Sequence, residues 1–554
     1  MRRLAWLSLW LLTTLWALGG CGRVRPSHGL PKPGIPQSIG VNIHFTRTTP
    51  KEWRLLVASG VRWVRMDFTW ATLQPRASAP PNFRATGFDR LVRRLGAAHM
   101  RPIFILDYCN PAFPAVTTAA GRAAFARFAA AAAHHFRAAG VVWEIWNEPD
   151  GGFWRCTGQS SALGHAASYA HLAEAASAAI HHADPRATVI GPAAARFDWS
   201  WFRQLQADGL LRALQGFSVH GYGANTPEGA QAEWRKLHAF LAAHPVHGHT
   251  LPMLSGEWGF PTVHPLPPGW CCTESVQADY LVRMMLDNLQ AGTALSIWYD
   301  LHDCGASGSA DCAYGLLHAN LQPKPAYHAL RVLTRTLAGQ AYVPALDVAS
   351  CASGVHAIRL ARGGEAFWST GAGPTRGVLY VGAAHPRLVG EYGAAIRPSG
   401  STGVLRVVYH RSVTYVLGAS GRRPPPAPAG LARVGSLAQL LTRFYAGTQN
   451  GNLNRLGSAA AAAGVPGRLL LQWTPLCGVG SYQVFRAASP HGGVWGLGWR
   501  SLGRVRHAIW SGAAPTSPTY YAVAAVSPTG VRGPMSAALR IGGSVGRPTV
   551  RRAG

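Results

Sequence analysis

Eight short apolar runs alternate with helix-like segments between residues 38 and 337, and this alternation constrains the fold more than any other feature. The apolar runs span residues 39–45, 61–68, 102–107, 141–146, 188–191, 217–220, 252–255 and 295–299. The clearest helix-like segments span residues 49–59, 121–139, 164–182, 227–244 and 275–291. This pattern predicts a (β/α)8 TIM barrel, in which catalytic side chains lie at the carboxyl ends of the strands. A doubly wound sheet is the alternative, but no glycine-rich phosphate loop follows the first strand.

The pattern changes after residue 337 to the alternation that is typical of β-strands, and no helix-length amphipathic segment interrupts it. Residues 338–422 are therefore predicted to form a β-sandwich, which a proline-rich linker at 424–428 follows. Residues 423–545 contain Trp473, Tyr482 and Tyr521 in runs that resemble strands of a fibronectin type III module, although residues 436–466 depart from that pattern. The predicted fold class is α/β: a barrel, a β-sandwich and a fibronectin type III-like β-sandwich, with a tail at 546–554.

The N-terminus has the features of a bacterial export signal. Arg2 and Arg3 precede an apolar stretch over residues 4–18, which is short for a membrane span and is followed by Gly-Gly-Cys21. This ending resembles a lipobox, so residues 1–20 are predicted to be a lipoprotein signal peptide, Cys21 the lipidated residue and 21–37 a proline-rich tether. The expected location is the cell envelope, on its periplasmic or outer side. Cleavage nearby with a free Cys21 is the alternative.

The chain carries a formal net charge of +29, from 52 Lys and Arg against 23 Asp and Glu. The basic residues are scattered, and no basic run interleaved with aromatic residues stands out, so nucleic-acid binding is not expected. A GC-rich genome, an anionic polymer as a neighbour and an acidic medium each explain the scarcity of acids. The oligomeric state stays open.

Apart from Cys21, the chain has eight cysteines, an even number that permits disulfides in an exported protein. Cys304 and Cys312 bracket a Gly/Ser-rich loop and are the best local pair, while Cys109 and Cys156 are a weaker candidate. None of the cysteine spacings is that of a zinc site. We therefore expect no metal bound by these cysteines.

Two glutamates occupy positions that suit paired carboxyl chemistry. Glu148 ends the fourth predicted strand, and Glu257 follows the seventh, 109 positions later. Carboxyl ends of barrel strands meet at one face, so both side chains are expected to converge on one cleft. Glycoside hydrolysis requires such a pair, because one carboxyl protonates the leaving oxygen while the other attacks or stabilises the anomeric carbon.

The surrounding residues carry a specific resemblance. Trp146-Asn-Glu-Pro and Gly256-Glu-Trp-Gly resemble the acid/base and nucleophile motifs of glycoside hydrolase clan A, most closely of family 39, with family 5 close behind. The resemblance covers roughly residues 38–420. It extends to the second, sixth and eighth strands, where the matching residues are Arg65, His220, Tyr222 and Trp298.

This resemblance implies a retaining hydrolase of β-linked polysaccharides or oligosaccharides, with no cofactor. Glu257 is then the nucleophile, and Glu148 is the acid/base, with a pKa raised by its ionised neighbour. Arg65 and Tyr222 are expected to hold Glu257 ionised and oriented.

Further substrate contacts are expected around this pair. Asn147 is predicted to hydrogen-bond a sugar hydroxyl beside the scissile bond. Trp298 is predicted to stack on the apolar face of a sugar ring. His44 and His220 are predicted either to contact substrate or to be structural histidines.

Two other classes of function stay open. A non-catalytic polysaccharide-binding or biofilm-scaffold lipoprotein would suit the appended β-domains, but the presence of both glutamates argues against it. An adhesin for an anionic polymer or nucleic acid rests on the net charge of +29 alone.

Overall fold

Eight parallel strands close into a barrel in the computed structural model. The structure describes residues 29–157, 162–262, 272–305, 309–346, 348, 351, 354–401, 403–429, 431–434, 468–491 and 498–542. The barrel strands pair in chain order, and the first pairs with the eighth. They are β1 Ile39–Asn42, β2 Trp63–Thr69, β3 Arg101–Asp107, β4 Val142–Ile145, β5 Thr188–Ala194, β6 Gly216–Val219, β7 Met253–Trp258 and β8 Leu295–Trp298. The predicted barrel is confirmed, and every strand end lies within three residues of its predicted position.

Helices cover the outside of the barrel. They are α1 Pro50–Ala58, α2 Trp70–Leu73, α3 Phe88–Ala97, α4 Ala119–Phe136, α5 Ala162–Ala183, α6 Trp199–Ala207, α7 Gln231–Ala243, α8 Glu274–Ala291 and α9 Pro325–Thr336. Short 3-10 turns cover Gly152–Thr157, Leu210–Ala213, Pro227–Ala230, Ala310–Cys312 and Pro344–Leu346. Thr49, Thr118, Asp198 and Thr273 cap helices α1, α4, α6 and α8 by accepting backbone N–H bonds with their side chains. None of the helices in the described ranges is long and apolar enough to cross a membrane.

Apolar side chains fill the lower half of the barrel. Alternate residues of a strand point to one side of the sheet, and each layer of the filling takes its side chains from alternate strands. The filling residues, which form one buried cluster, are Trp63, Ile103, Val142, Ile190, Leu254, Leu295 and Ile297. The residues two positions further along the same strands therefore point into the barrel nearer its carboxyl-terminal mouth.

Antiparallel sheets follow the barrel, in agreement with the predicted β-sandwich. A five-stranded sheet and a three-stranded sheet enclose an apolar core that includes Phe367, Leu379, Leu405 and Val416. Their strands are β9 Val355–Arg359, β10 Gly364–Ser369, β11 Thr375–Tyr380, β12 Arg387–Gly390, β13 Ala395–Ile396, β14 Ser399–Ser401, β15 Val404–Tyr409 and β16 Thr414–Leu417.

A last pair of antiparallel sheets is built around Trp473, Tyr482 and Tyr521, all of them buried. Its strands are β17 Ala432–Arg433, β18 Arg468–Gln472, β19 Ser481–Ala487, β20 Arg500–Val505, β21 Ile509–Ala513, β22 Thr519–Val526, β23 Arg532–Met535 and β24 Leu539–Ile541. The fibronectin type III resemblance and the domain boundaries stay predictions. The divergent segment 436–466, the signal peptide and Cys21 lie outside the described residues.

Disulfides and buried polar contacts join these parts. Cys304 and Cys312 are bonded, as predicted, and a Cys351–Cys477 disulfide links the β-sandwich to the last domain. Cys109 is also in a disulfide, but its predicted partner, Cys156, lies outside the residues whose side chains are described.

The β-sandwich is held to the barrel by a buried polar contact. The indole of Trp368 on β10 donates to Glu228 over 2.7 Å, and two guanidinium nitrogens of Arg283 on α8 hold the same carboxylate at 2.6 Å. Glu228 therefore connects a barrel helix to the sandwich.

Candidate active site

Glu257 lies near the carboxyl end of β7, and both of its carboxylate oxygens are hydrogen-bonded. Arg65 donates from Nη1 to Oε2 over 2.8 Å, and the Tyr222 hydroxyl donates to Oε1 over 3.1 Å. A guanidinium and a hydroxyl that both point at a carboxylate fix its orientation. This is the arrangement that the sequence predicted for these three residues.

Arg65 on β2 is the centre of the cluster and is only 1% exposed. Besides Glu257, it donates to Glu144 over 2.5 Å and to Asn147 over 2.8 Å, and it lies 3.3 Å from Nε2 of His220. Burial alone would lower the pKa of Arg65, but the charges of Glu144 and Glu257 raise it, so the guanidinium stays charged.

Two glycines allow the elements around Glu257 to approach closely. A Cβ atom on Gly256 would lie 2.3 Å from the Ser218 hydroxyl, and one on Gly221 would lie 2.3 Å from the ring of Trp258. Both contacts are far below van der Waals distance, so a side chain at either position would displace β7 or the loop that carries Tyr222.

Glu148 is held at the end of β4 by an unusual backbone. Trp146 and Glu148 have φ angles of 66° and 45°, in the left-handed region that side chains with a Cβ rarely adopt. The Glu148 N–H donates to the Ala193 carbonyl over 2.9 Å, which ties the strained turn to β5. Such strain concentrates at functional sites, where the surrounding structure maintains it.

The side chain of Glu148 is paired with a buried histidine. Nδ1 of His220, which has no exposed surface, lies 2.7 Å from Oε1 of Glu148. Burial would raise the pKa of Glu148, but the hydrogen bond and charge of His220 outweigh it and lower the pKa below its ordinary value. The sequence-based expectation of a raised pKa was therefore wrong for the free protein, because it considered Glu257 and not His220.

His220 shows the opposite shift. Burial would lower its pKa, but the charge of Glu257 and the hydrogen bond to Glu148 raise it. The Glu148–His220 pair therefore retains a proton to a higher pH than an ordinary glutamate does.

The two glutamates converge across the barrel mouth. One ligand atom each from Glu148, His220 and Glu257 lies within 4.8 Å of the others, so the two carboxyl groups face each other at close range. This set of atoms could also surround a metal ion. However, the Arg65 guanidinium already contacts Glu257 and lies beside His220, and its positive charge disfavours a second cation there.

Known proteins match this chain in structure but not in sequence. No protein-family model and no curated protein matches the sequence. The structure matches a family 39 glycoside hydrolase from the gut symbiont Bacteroides cellulosilyticus WH2, with a TM-score of 0.58 and 19% identity over 69% of this chain and 81% of that chain. The fold is that of a family 39 glycoside hydrolase.

A second family 39 structure, the enzyme from Xanthomonas axonopodis pv. citri, matches with a TM-score of 0.50 and 16% identity, over 70% of this chain and 95% of that chain. The resemblance stated from the motifs is thus confirmed at the level of the fold. The part of this chain that matches includes the closed barrel of eight parallel strands.

Asn147 and His44 also lie at this mouth. Asn147 is 7% exposed, and its oxygen accepts from Arg65, so its amide nitrogen is oriented independently of substrate. His44 is half-exposed and lies 3.4 Å from Asp300. Burial would lower the pKa of His44, but the hydrogen bond and charge of Asp300 raise it. His44 is therefore exposed at this mouth, whereas Asn147 is buried beside Glu148.

The prediction for Trp298 needs correction. Its side chain has no exposed surface, and its indole N–H donates to the Tyr314 carbonyl over 3.1 Å, so it cannot stack on a sugar. Leu295 and Ile297 fill the barrel, which means that the alternation of β8 turns Trp298 outward, toward the helices.

Tyr299 has the position that was predicted for Trp298. Its half-buried ring packs edge-on against His44 and Tyr314, at centroid distances of 5.6 and 5.5 Å. Burial and the charge of Glu257 raise the pKa of its hydroxyl. Sequence analysis did not select Tyr299, although the strand alternation contained the signal.

An exposed aromatic pair lies further out on the Glu148 side. Phe153, in the 3-10 turn after β4, is 50% exposed and stacks on Tyr108 with ring centroids 5.8 Å apart and planes at 16°. A large apolar ring left exposed beside a cleft is a suitable surface for the flat face of a sugar. Sequence analysis missed this pair.

Proposed function

We propose that the protein is a retaining glycoside hydrolase that cleaves β-linked polysaccharide or oligosaccharide by double displacement. The observation that supports this most strongly is the approach of the Glu148 and Glu257 carboxyl oxygens to within 4.8 Å. Retaining enzymes place the two groups about 5–5.5 Å apart, whereas inverting enzymes leave about 6.5–9.5 Å for a water molecule. The short distance between these two oxygens supports the retaining arrangement over the inverting one.

The contacts of each glutamate distinguish their roles. Arg65 and Tyr222 hold both oxygens of Glu257, which suits a carboxylate that must attack the anomeric carbon in ionised form. Glu148 is not held by a guanidinium in this way, and its partner is His220, with which it can exchange a proton. Glu257 is therefore the proposed nucleophile and Glu148 the proposed acid/base.

In the first step, an oxygen of Glu257 forms a bond to the anomeric carbon while the bond to the leaving oxygen breaks. That oxygen takes a proton from Glu148. In the free protein the proton belongs to the Glu148–His220 pair and lies mainly on His220, as the directions of the two pKa shifts indicate. Substrate that displaces water from Glu148 removes solvent stabilisation of its carboxylate and favours transfer of the proton to it.

In the second step, Glu148 is ionised and accepts a proton from water as the water oxygen attacks the anomeric carbon. The bond to Glu257 breaks, and the product keeps its original configuration. His220 then shares the returned proton with Glu148. Asn147, whose side-chain oxygen accepts from Arg65, is the proposed donor to a sugar hydroxyl during both steps.

Azide rescue of two variants tests these roles. Glu148→Ala should spare the first step on substrates with good leaving groups, so that azide intercepts the glycosyl-enzyme and gives a product of retained configuration. Glu257→Ala cannot form the covalent intermediate, and azide in the vacated space should give the inverted product. Both product anomers can be identified by NMR. Asp89→Asn, on the outside of the barrel, is the control that should keep full activity.

Inverted azide from Glu148→Ala together with retained azide from Glu257→Ala would reverse the two roles. Full activity in either variant would remove that residue from the mechanism. Release of reducing sugar from a panel of β-linked polysaccharides and aryl β-glycosides identifies the substrate, and no release from any of them would favour a non-catalytic binding protein.

We also propose, from the sequence alone, that the protein is exported and anchored to the cell envelope through a lipid on Cys21. Cys21→Ala should move the protein from the membrane fraction to the soluble fraction with unchanged specific activity. Partition of the exported wild-type protein into the soluble fraction would contradict the anchor.

A further inference from the structure

An acidic pair borders the cleft and has no part in the double displacement. Trp63, Arg65 and Asp67 are alternate residues of β2, and Trp63 fills the barrel while Arg65 binds Glu257. Asp67 is therefore the next inward-facing residue and lies nearer the mouth than Arg65. It is partly exposed, whereas Arg65 is buried.

Asp107 supports Asp67 from the neighbouring strand. On β3, Ile103 fills the barrel, so Asp107, four positions later, points to the same side. Asp107 has no exposed surface, and its carboxyl group interacts with the side chains of Asp67 and Thr69. Burial and the charge of Asp67 raise the pKa of Asp107 well above its ordinary value, and Asp67 is the member of the pair that is partly exposed to the cleft.

The surroundings of Asp67 are those of a sugar-binding subsite. The charge of Asp67 contributes to the raised pKa values of His44, Tyr299 and Tyr108, which border the same end of the barrel. The charge of Glu257 also contributes to the raised pKa of Tyr299. A carboxylate beside aromatic rings accepts hydrogen bonds from sugar hydroxyls while the rings cover the apolar face. Asp67 thus lies beside the sugar that would become attached to Glu257.

The cations around this subsite are already paired. Arg65 contacts Glu144, Glu257 and Asn147, and its 1% exposure leaves it out of reach of a ligand. His44 faces Asp300, at 3.4 Å.

The other two cations belong to the Glu148 side of the mouth. His220 is fully buried and contacts Glu148. Arg196 is exposed, and its charge acts on Glu148. Arg65, His44 and His220 are thus each engaged by a carboxylate of the protein itself.

We propose that Asp67, supported by Asp107, makes the subsite beside Glu257 selective for an uncharged sugar and excludes a uronate, in spite of the protein's net charge of +29. Hydroxyl donors of a neutral sugar satisfy Asp67. A sugar carboxylate would instead meet the carboxylates of Asp67 and Glu257, while the nearby cations Arg65 and His44 are already paired with Glu257 and Asp300. This inference rests on the proposed glycosidase function and specifies its substrate class.

The test compares aryl β-hexosides with the matching aryl β-hexuronides, which differ only by a carboxylate at C6, in the gluco, galacto and manno configurations. Wild-type kcat/KM should be at least about a hundredfold lower for the uronide of the configuration that is turned over, because like charges in a desolvated site repel strongly. Asp67→Asn keeps the shape and removes the charge, so it should reduce this ratio at least about tenfold.

Asp89→Asn is the matched control, because it removes one acidic charge from α3, where Asp89 pairs with His135 on the outside of the barrel. It should leave the hexoside-to-uronide ratio unchanged. A measurement without any variant adds a second line of evidence: raising the salt concentration from about 20 mM to about 500 mM should increase wild-type turnover of the uronide relative to the hexoside, because salt screens the repulsion.

Equal wild-type turnover of hexoside and uronide would overturn the selectivity while leaving the hydrolase function intact. If Asp67→Asn is active and its hexoside-to-uronide ratio is unchanged, Asp67 does not discriminate between the two sugars. If that variant does not fold, a wild-type ratio that is insensitive to salt leads to the same conclusion. Absence of turnover on every neutral glycoside and polysaccharide is a different result, because it overturns the proposed function itself.

Discussion

Replacement of Arg65 by methionine should separate the structural and catalytic parts of the site. Methionine has a similar length and no charge, so Arg65→Met removes the guanidinium without leaving a large void. Glu144, which has no exposed surface, then loses its charged partner at 2.5 Å, and Glu257 loses its partner at 2.8 Å.

The two losses have different sizes. A buried carboxylate left without its partner costs about 3–5 kcal/mol of unfolding free energy. A hydrogen bond to a charged group contributes about 1.5–3 kcal/mol. Since about 1.4 kcal/mol corresponds to a factor of ten, the lost contact to Glu257 should lower kcat/KM about ten- to hundredfold.

The assay is a double-mutant comparison of Arg65→Met, Glu144→Leu and the combined variant, by urea unfolding and by kcat/KM on an aryl β-glycoside. The combined variant should regain at least half of the stability lost in Arg65→Met, because no unpaired charge remains at Glu144. Its activity should stay low, because Glu257 still lacks Arg65.

Two results would refute this reasoning. A combined variant less stable than Arg65→Met would show that Glu144 is not destabilised by losing its partner. Wild-type kcat/KM in Arg65→Met would show that the contact to Glu257 has no role in the reaction.

Three further predictions concern pH and packing. The pH profile of kcat/KM should be bell-shaped, and a profile that is flat from mildly acidic to alkaline pH would contradict this. His220→Asn should move the alkaline limb of the profile to lower pH, because without His220 the proton is lost from Glu148 at a lower pH. Burial and the charge of its acidic neighbour raise the pKa of Glu391 from 4.5 to about 8. The free energy of unfolding of the wild-type protein, measured by urea titration, should therefore fall as the pH rises across that interval, by at most about 1.4 kcal/mol per pH unit. Glu391→Gln should make this fall smaller. Tyr299→Ala should lower kcat/KM at least about tenfold with little effect on stability, whereas Trp298→Ala should lower the unfolding free energy by about 3–5 kcal/mol.

The barrel was predictable because it depends on local patterns. Each strand is a short apolar run, and the filling side chains recur at every second position. The approach of Glu148 to Glu257 followed from topology, since the strand ends of a barrel share one face. Trp298 shows the limit of this reasoning, because a motif gives the residue type but not the side of the strand to which it points.

Other features depend on contacts between distant residues. The direction of the Glu148 pKa shift needed the position of His220, which comes from another strand, 72 residues away. Asp67 and Asp107 are unremarkable in sequence and become a pair only when β2 and β3 lie side by side. The Cys351–Cys477 bond joins residues 126 positions apart, and no local spacing predicts such a pairing.

That bond changes what a cut in the chain would do. Cys351 lies before the proline-rich stretch 424–428 and Cys477 lies after it, so both ends of any break between them stay attached to one another. A protease that cleaves the stretch would leave the two fragments in one covalent particle, and they would separate only after reduction. The disulfide therefore keeps the C-terminal domain covalently attached to the rest of the protein even where the peptide chain between the two cysteines is cut.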